Sequence, residues 1–519
     1  MAEEKATRRR PKPWQAAAAL VVCAGVVTTV ALTAGSGGAA EPYDFNGDGK
    51  PDLTVGVPGD TVGGHPRAGS VIVAGGTSTG PASTATRFDQ DTTGVGGAAE
   101  TDDSFGQSVA SCDFDSNGYA DLAVASPLEA VGTTEGAGLL TVFYGASGGL
   151  SGSLSETFTE DTANYPGAVG KDEVFAYSLA AGDVNGDGYC DLAIGQPLDN
   201  AGGQSNAGTI KIMFGTSTGL NAADTIQIDQ STANVPGTPE AEDRFGEQLA
   251  IGDVNGDGTD DLVVATIGEQ ISGSSDRGSL HILYGPINNG APASGGYVDA
   301  GNVTGIGEFA GSALAVGHFN DDAYADIAVG VSDQEVGAKG AAGRLAVFYG
   351  SYQGLSATSR IKLFDQDSPG ISGAPETEDY FSSSLAAGDF DGDGTDDLVI
   401  GMRSEAIGSA TGSGASMILF GNVTGGITTN GALWIDQDTD GVPGTVAVAD
   451  HFGWTVGALD TDGNGRVEPL IGAPGNAAGT VTILKVKPGT LESATALAEA
   501  DLGFTAGSNG DALGIALAH

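Results

Sequence analysis

Residues 175–197 read FAYSLAAGDVNGDGYCDLAIGQP: an apolar run, a nine-residue loop of Asp, Asn and Gly, then a second apolar run. Two close copies follow, FGEQLAIGDVNGDGTDDLVVATI from Phe245 and FSSSLAAGDFDGDGTDDLVIGM from Phe381. Weaker copies begin at Phe105 and Phe452, a degenerate one spans 309–331, and a partial one, DFNGDGKPDLTVGVP, begins at Asp44. The loops start at 44, 113, 183, 253, 318, 389 and 460, with gaps of 69, 70, 70, 65, 71 and 71 residues. Self-similarity at a fixed period signals a repeat architecture. Seven repeats fill residues 41–519 and leave no room for another domain.

Each repeat holds four strand-like runs, in the third at 177–181, 192–195, 209–214 and 225–228. Four short antiparallel strands per repeat describe propeller blades. A right-handed β-helix is the distant alternative and would need shorter repeats. The expected fold is all-β, a seven-bladed β-propeller of four-stranded antiparallel blades. Blade 1 is 41–101 plus 508–519. Blades 2 to 7 are 102–171, 172–241, 242–306, 307–377, 378–448 and 449–507. The first repeat lacks the strand before its loop. The chain ends Asp511-Ala-Leu513-Gly514-Ile-Ala-Leu517-Ala518-His519, which matches Asp243-Arg-Phe245-Gly246-Glu-Gln-Leu249-Ala250. The C-terminus is therefore expected to supply the missing strand and close the ring, removing exposed edges.

In the loop at Asp183, positions 1, 3, 5 and 9 are Asp183, Asn185, Asp187 and Asp191. Position 6 is glycine, for the turn, and position 7, Tyr189, can offer its carbonyl. Calcium takes six to eight oxygens at flexible angles, and alternating carboxylates on a tight loop supply them. An EF-hand is excluded, because position 12 is Ile194 and the following segment is strand-like. The same pattern gives Asp44, Asn46, Asp48, Lys50 and Asp52; Asp113, Asp115, Asn117, Tyr119 and Asp121; Asp253, Asn255, Asp257, Thr259 and Asp261; Asp389, Asp391, Asp393, Thr395 and Asp397. A sixth loop has Asp460, Asp462, Asn464, Arg466 and, at position 9, Glu468, with altered geometry expected. The His318 loop, with Asn320, Asp322, Ala323 and Asp326, lacks the first carboxylate and the turn glycine, and is expected to hold no ion. About six calcium sites are thus expected. The competing reading is Asx-turns that hold only themselves together; six loops of one spacing favour calcium.

The repeat resembles the FG-GAP repeat in all its parts. These are Phe105-Gly106, Phe245-Gly246 and Phe452-Gly453 at the start, the calcium loop, and Gly56-Val-Pro58, Gly195-Gln-Pro197 and Gly472-Ala-Pro474 at the end. The resemblance covers residues 41–519. That family includes integrin α-subunit heads, bacterial surface and secreted proteins, and the propeller of a glycosyl-phosphatidylinositol phospholipase D. It implies a propeller, calcium, and adhesion or ligand binding. Departures are the His318 loop, Ala176 and Ser382 in place of the second glycine, and the absence of integrin leg and inserted domains.

There are 67 acidic and 20 basic residues among 519. Residues 1–40 hold five of the basic and two of the acidic side chains, so the remainder is still more negative. Such a surface repels phosphate backbones and anionic lipid heads, which excludes nucleic-acid partners and favours cations. Arg8–Arg10 and Lys12 precede an apolar stretch at 16–34 and the small residues Gly38, Ala39 and Ala40, an export signal. The segment 1–40 is a cleaved signal peptide or an uncleaved membrane anchor, and either fate places 41–519 outside the cell. Cys112 and Cys190 fall near the same position of successive repeats. A disulfide is open to them, but two small buried hydrophobes are the preferred reading.

Gly76-Thr-Ser78-Thr-Gly80, Gly145-Ala-Ser147-Gly-Gly149 and Gly215-Thr-Ser217-Thr-Gly219 fit the G-x-S-x-G hydrolase pattern. They share one hairpin position in three blades, whereas a nucleophile elbow needs a strand-to-helix turn. No catalytic residue is assigned. The expected function is an extracellular binding or adhesion module for a protein or glycan ligand, without nucleic acid and with no membrane contact beyond an N-terminal anchor. A monomer is expected. The alternatives are a secreted hydrolase with an unrecognised site and a wall or matrix structural protein. The strand 2–3 loops at 59–68, 128–136, 198–206, 268–277 and 333–342 are small and polar, and apart from Arg67 and Arg277 lack the aromatic and Arg anchors of binding hot spots. No Arg-Gly-Asp or D-x-S-x-S motif is present.

Overall fold

The computed structural model describes residues 40–270, 277–299, 302–307, 311–355, 360–476, 479–504, 513 and 516–517. All but Ala40 of the segment 1–40, expected from sequence to direct export, and most of the expected C-terminal strand lie outside the described residues. Seven four-stranded antiparallel sheets follow one another along the chain. In blade 3 the strands are Ser178–Gly182, Asp191–Gln196, Thr209–Met213 and Ile226–Ile228, within two residues of the runs read from sequence. Second strands such as Asp121–Ser126 and Asp191–Gln196 are buried at every position, because a blade packs a neighbour on each face. Fourth strands such as Ser155–Phe158 are buried mainly at their final Phe.

The phenylalanine that opens a repeat locks it to the blade before. Gly69, Gly343 and Gly414 form parallel bridges to Phe105, Phe381 and Phe452. A Cβ on Gly69 would lie 2.2 Å from the Phe105 carbonyl oxygen, so the approach excludes any side chain. Gly479 makes the same bridge to Leu513. Leu513 therefore takes the Phe position of blade 1. Ala516 and Leu517 pair antiparallel with Gly56 and Val55, which closes the sheet Ala516–Leu517, Leu53–Val57, Ser70–Ala74, Ala85–Phe88. Leu513 and Leu517 are buried in one cluster with Val55, Leu470 and Val481, so the core runs from blade 7 through blade 1. Replacing Leu517 by Ala is expected to cost about 3 kcal/mol. The loss should lower the main unfolding transition; a separate early transition at one end would count against closure.

A polar latch bridges each of several blade junctions. Gln90 Nε2 donates to Glu129 Oε2 at 2.6 Å, Gln230 to Glu269 at 2.7 Å and Gln366 to Glu405 at 2.8 Å. Between blades 2 and 3, Glu160 and Asp199 stand at these two places, and the fully buried Lys211 lies between them. Its Nζ is 3.3 Å from Glu160 and 3.4 Å from Asp199. Between blades 7 and 1, Arg87 spans Asp60 at 3.1 Å and Glu499 at 2.7 Å. A neutral amide faces one carboxylate, or a cation faces two.

Candidate metal centres

Each Asp-rich loop joins the first and second strands of its blade, and its ligand positions are graded in burial. Position 9 is buried in all seven loops, position 5 is exposed in the loops at Asp44, Asp113, Asp183, Asp253, Asp389 and Asp460, and position 3 lies between. Position 1 gathers the turn: Asp183 accepts the N–H of Asp187 at 3.1 Å and of Gly188 at 2.9 Å. Gly188 needs φ +89° to present that N–H. Position 9 ties the loop to the third strand. The N–H of Gly145, Gly215, Gly285 and Gly421 donates to Asp121, Asp191, Asp261 and Asp397 at 2.8–3.0 Å.

The residues fit a hard cation. Asp113, Asp115 and Asp121 bring carboxylate oxygens within 4.8 Å of one another, as do Asp389, Asp391 and Asp397. Asp460, Asp462 and Glu468 come as close, but Lys485 already stands beside Asp462 and Glu468. Asp191 Oδ2 is buried with no hydrogen-bond partner. Burial, together with the neighbouring loop carboxylates, pushes Asp121, Asp191, Asp261 and Asp397 up to about 8. A buried carboxylate without a cation prefers to be neutral, and a bound cation reverses that preference. The His318 loop differs in kind. Asn320 Nδ2 donates to Asp326 at 3.1 Å, and Arg360 pairs with Asp322 at 3.2 Å. A cavity of about 540 Å³ opens there, lined partly by Asp260, His318, Asp322 and Asp396.

Sequence reading missed the next-blade contacts of these loops. The N–H at position 8, in Ala120, Asp260, Ala325 and Asp396, donates to the position 1 carbonyl of the preceding loop at 2.8–3.2 Å. Asp260 and Asp396 also accept the N–H of Asp183 and His318 at 3.0 and 2.7 Å. The first Asp of Thr-Asp-Asp, at position 8, was the available signal. The preferred reading of the cysteines is overturned: Cys112 and Cys190 form a disulfide, Cα atoms 6.3 Å apart. Cys190 holds position 8 of the third loop, so the bond takes the place of an inter-loop contact. Replacing Cys112 by Ser is expected to cost roughly 2–4 kcal/mol for a link closing so long a loop. An unchanged melting midpoint would show that the link adds nothing.

The hairpin serines sit in turns. Thr77 and Thr216 hydroxyls donate to Gly80 and Gly219 carbonyls at 2.6 and 2.8 Å, and Ser78, Ser147 and Ser217 are exposed. Blades 2 and 3 continue only into single 3₁₀ turns, Gly152–Leu154 and Ala222–Asp224. At the opposite end of the strands lies a cluster that the loop survey passed over. Arg403 lies 4.3 Å above the Tyr380 ring and 5.7 Å from that of Trp454, which His451 meets edge-on at 5.1 Å.

The FG-GAP repeat pattern matches residues 36–73, 105–143, 175–213, 245–283 and 381–419. This chain is an FG-GAP repeat protein. The five matched repeats are those whose loops keep Asp at positions 1 and 9; the loops at His318 and Asp460 fall outside. The FG-GAP chain is 31% identical to integrin alpha-PS2 of Drosophila melanogaster over 196 residues, 36% of this chain and 12% of that protein. It is 31% identical to phosphatidylinositol-glycan-specific phospholipase D of Rattus norvegicus over 196 residues, 37% of this chain and 22% of that protein. Human integrin alpha-E is 33% identical over 172 residues, 32% of this chain and 14% of its own. The matched region therefore spans less than a quarter of each relative. A rhamnogalacturonan lyase from Bacillus licheniformis superposes with a TM-score of 0.32 at 14% identity over 87% of this chain and 69% of its own, too loosely to carry an argument. Among the described residues no helix is long and apolar enough to cross a membrane.

Proposed function

We propose that the protein is an exported, monomeric, calcium-binding propeller that acts outside the cell as a binding or adhesion module for a protein or glycan. The observation that carries the calcium reading is the recurring buried carboxylate at position 9, with Asp191 Oδ2 left without a partner. The loops at Asp44, Asp113, Asp183, Asp253 and Asp389 would hold the ions, stiffening the turns that chain one blade to the next. The disulfide supports an oxidising, extracellular setting. Adhesion is favoured by the similarity to integrin α subunits. Arg403 with Tyr380 and Trp454 is the patch that best suits a ligand, since Arg and aromatic side chains dominate binding hot spots. The hairpin serines, set in turns, give no support to hydrolysis.

The test is retention of the full chain on surfaces coated with extracellular-matrix proteins or cell-wall glycans. Retention in 2 mM calcium (about the upper range for extracellular modules) should vanish in chelator, and Trp454→Ala should weaken it about tenfold, a hot-spot effect. Equal retention with and without calcium, or none on any surface, would overturn the adhesion reading.

A further inference from the structure

In blades 1 to 6 the third strand ends in a glycine whose N–H donates to the position 9 carboxylate; in blade 5 this is Gly350 to Asp326 at 2.9 Å. The residue before that glycine is Gly75, Tyr144, Phe214, Tyr284, Tyr349 or Phe420. Counting from the glycine that opens the third strand, Gly479 in blade 7, the corresponding residue is Lys485, followed by Val486. No glycine ends this strand. It bulges between Lys485 and Val486 and continues to Lys487, paired with Thr490. Glu468 keeps the contact that Asp121, Asp261 and Asp397 also make, accepting the position 2 backbone N–H, here Thr461 at 2.9 Å, and adds the Thr461 hydroxyl at 2.7 Å. Its other oxygen, Oε1, faces Lys485 Nζ at 3.6 Å, and the same ammonium donates to Asp462.

We infer that Lys485 is the resident cation of the seventh loop: its ammonium stands between Asp462 and Glu468, so that loop closes without metal and the ring takes up five calcium ions. The inference rests on the calcium reading of the other five loops. Three carboxylates within 4.8 Å repel one another unless a positive charge joins them. An ammonium offers three donors and no acceptor, and meets that need at fixed stoichiometry and at any calcium level. Blade 5 shows the same substitution, since the other departing loop also has a basic partner, Arg360 on Asp322. Among the described residues, the loops at Asp113, Asp183, Asp253 and Asp389 have no ion pair to a ligand position, and the Asp44 loop has only its own Lys50, 3.7 Å from Asp48. The consequence falls at the ring closure. Blade 7 bears the Gly479–Leu513 bridge, and Arg466 of its loop donates to the Phe390 carbonyl of blade 6 at 2.5 Å. These contacts then persist when calcium is withdrawn.

Equilibrium dialysis of the full chain against radioactive calcium measures the stoichiometry. The wild type should bind five ions, Asp183→Ala four and Asp460→Ala five. Lys485→Met should bind a sixth, and Lys485→Arg should return the count to five. Six ions in the wild type, a loss on Asp460→Ala, or no sixth ion in folded Lys485→Met would overturn the inference and leave the calcium reading standing. A wild type that binds none would overturn both. If Lys485→Met does not fold, Asp460→Ala decides.

Discussion

Saturating calcium should stabilise the chelated protein by about 7 kcal/mol. Extracellular sites bind at about 10⁻⁴ to 10⁻³ M. At ten times the weaker constant each ion adds roughly 1.4 kcal/mol by mass action, and five loops act together if the ring unfolds as a unit. An entropy of unfolding of about 2 cal/mol/K per residue makes this a rise of roughly 7 °C for a ring of this length. The measurement is thermal unfolding in chelator and in about 10 mM calcium. Equal midpoints would show that the loops are Asx-turns and nothing more.

The effect should depend on pH in a fixed direction. Without calcium, burial raises Asp121, Asp191, Asp261 and Asp397 from the ordinary carboxylate value, 3.8, to about 8. The folded state then holds protons that the unfolded chain releases. Stability in chelator is full below about 4 and falls as pH rises through 8. Calcium needs those carboxylates ionised, so its stabilisation grows over the same interval. The gap between chelated and loaded midpoints should widen from pH 5.5 to 8.5. A gap that narrows would contradict the assignment of position 9.

The repeats made the fold legible because each loop sits at a fixed offset from a Phe and a buried strand, and periodicity multiplies a weak local signal sevenfold. Ring closure was legible for the same reason: Leu513 and Leu517 keep the spacing of Phe245 and Leu249. What stayed hidden lies between repeats. The disulfide depends on Cys112 of one blade meeting position 8 of the next, a distance that no linear spacing states. The latches were half visible. Asp-Gln recurs at 89–90, 229–230 and 365–366, a repeat visible in the sequence, yet the partners Glu129, Glu269 and Glu405 come 39 residues later on another blade. Lys485 escaped because it lies outside the loop, and only strand register brings it there.

Replacing Lys211 by Met should destabilise the protein by about 3–5 kcal/mol, the usual consequence of removing one partner from a buried ion pair. Lys211 is completely buried, and its ammonium also donates to Gln196 Oε1 at 2.9 Å and Thr209 Oγ1 at 3.0 Å. Methionine fills the space without the charge, which strands Glu160 and Asp199 together. Burial already raises Glu160, and Lys211 is the chief influence that lowers it. The neighbouring junctions indicate the remedy. Counted from the glycine that opens each third strand, the place of Lys211 is taken by Thr141 in blade 2, His281 in blade 4 and Met417 in blade 6. Burial pushes His281 down to about 3, so it is neutral. At each of those junctions glutamine replaces the first acid, and one carboxylate remains. A cation is needed only where both partners are acidic. The double variant Lys211→Met/Glu160→Gln recreates the blade 6 arrangement and should recover most of the loss, though each change alone is harmful. Denaturant unfolding of the wild type, both single variants and the double variant gives the coupling energy directly. Additive losses, or a Lys211→Met variant as stable as the wild type at neutral pH, would mean that the junction is held by apolar packing and that the buried charges are incidental to it.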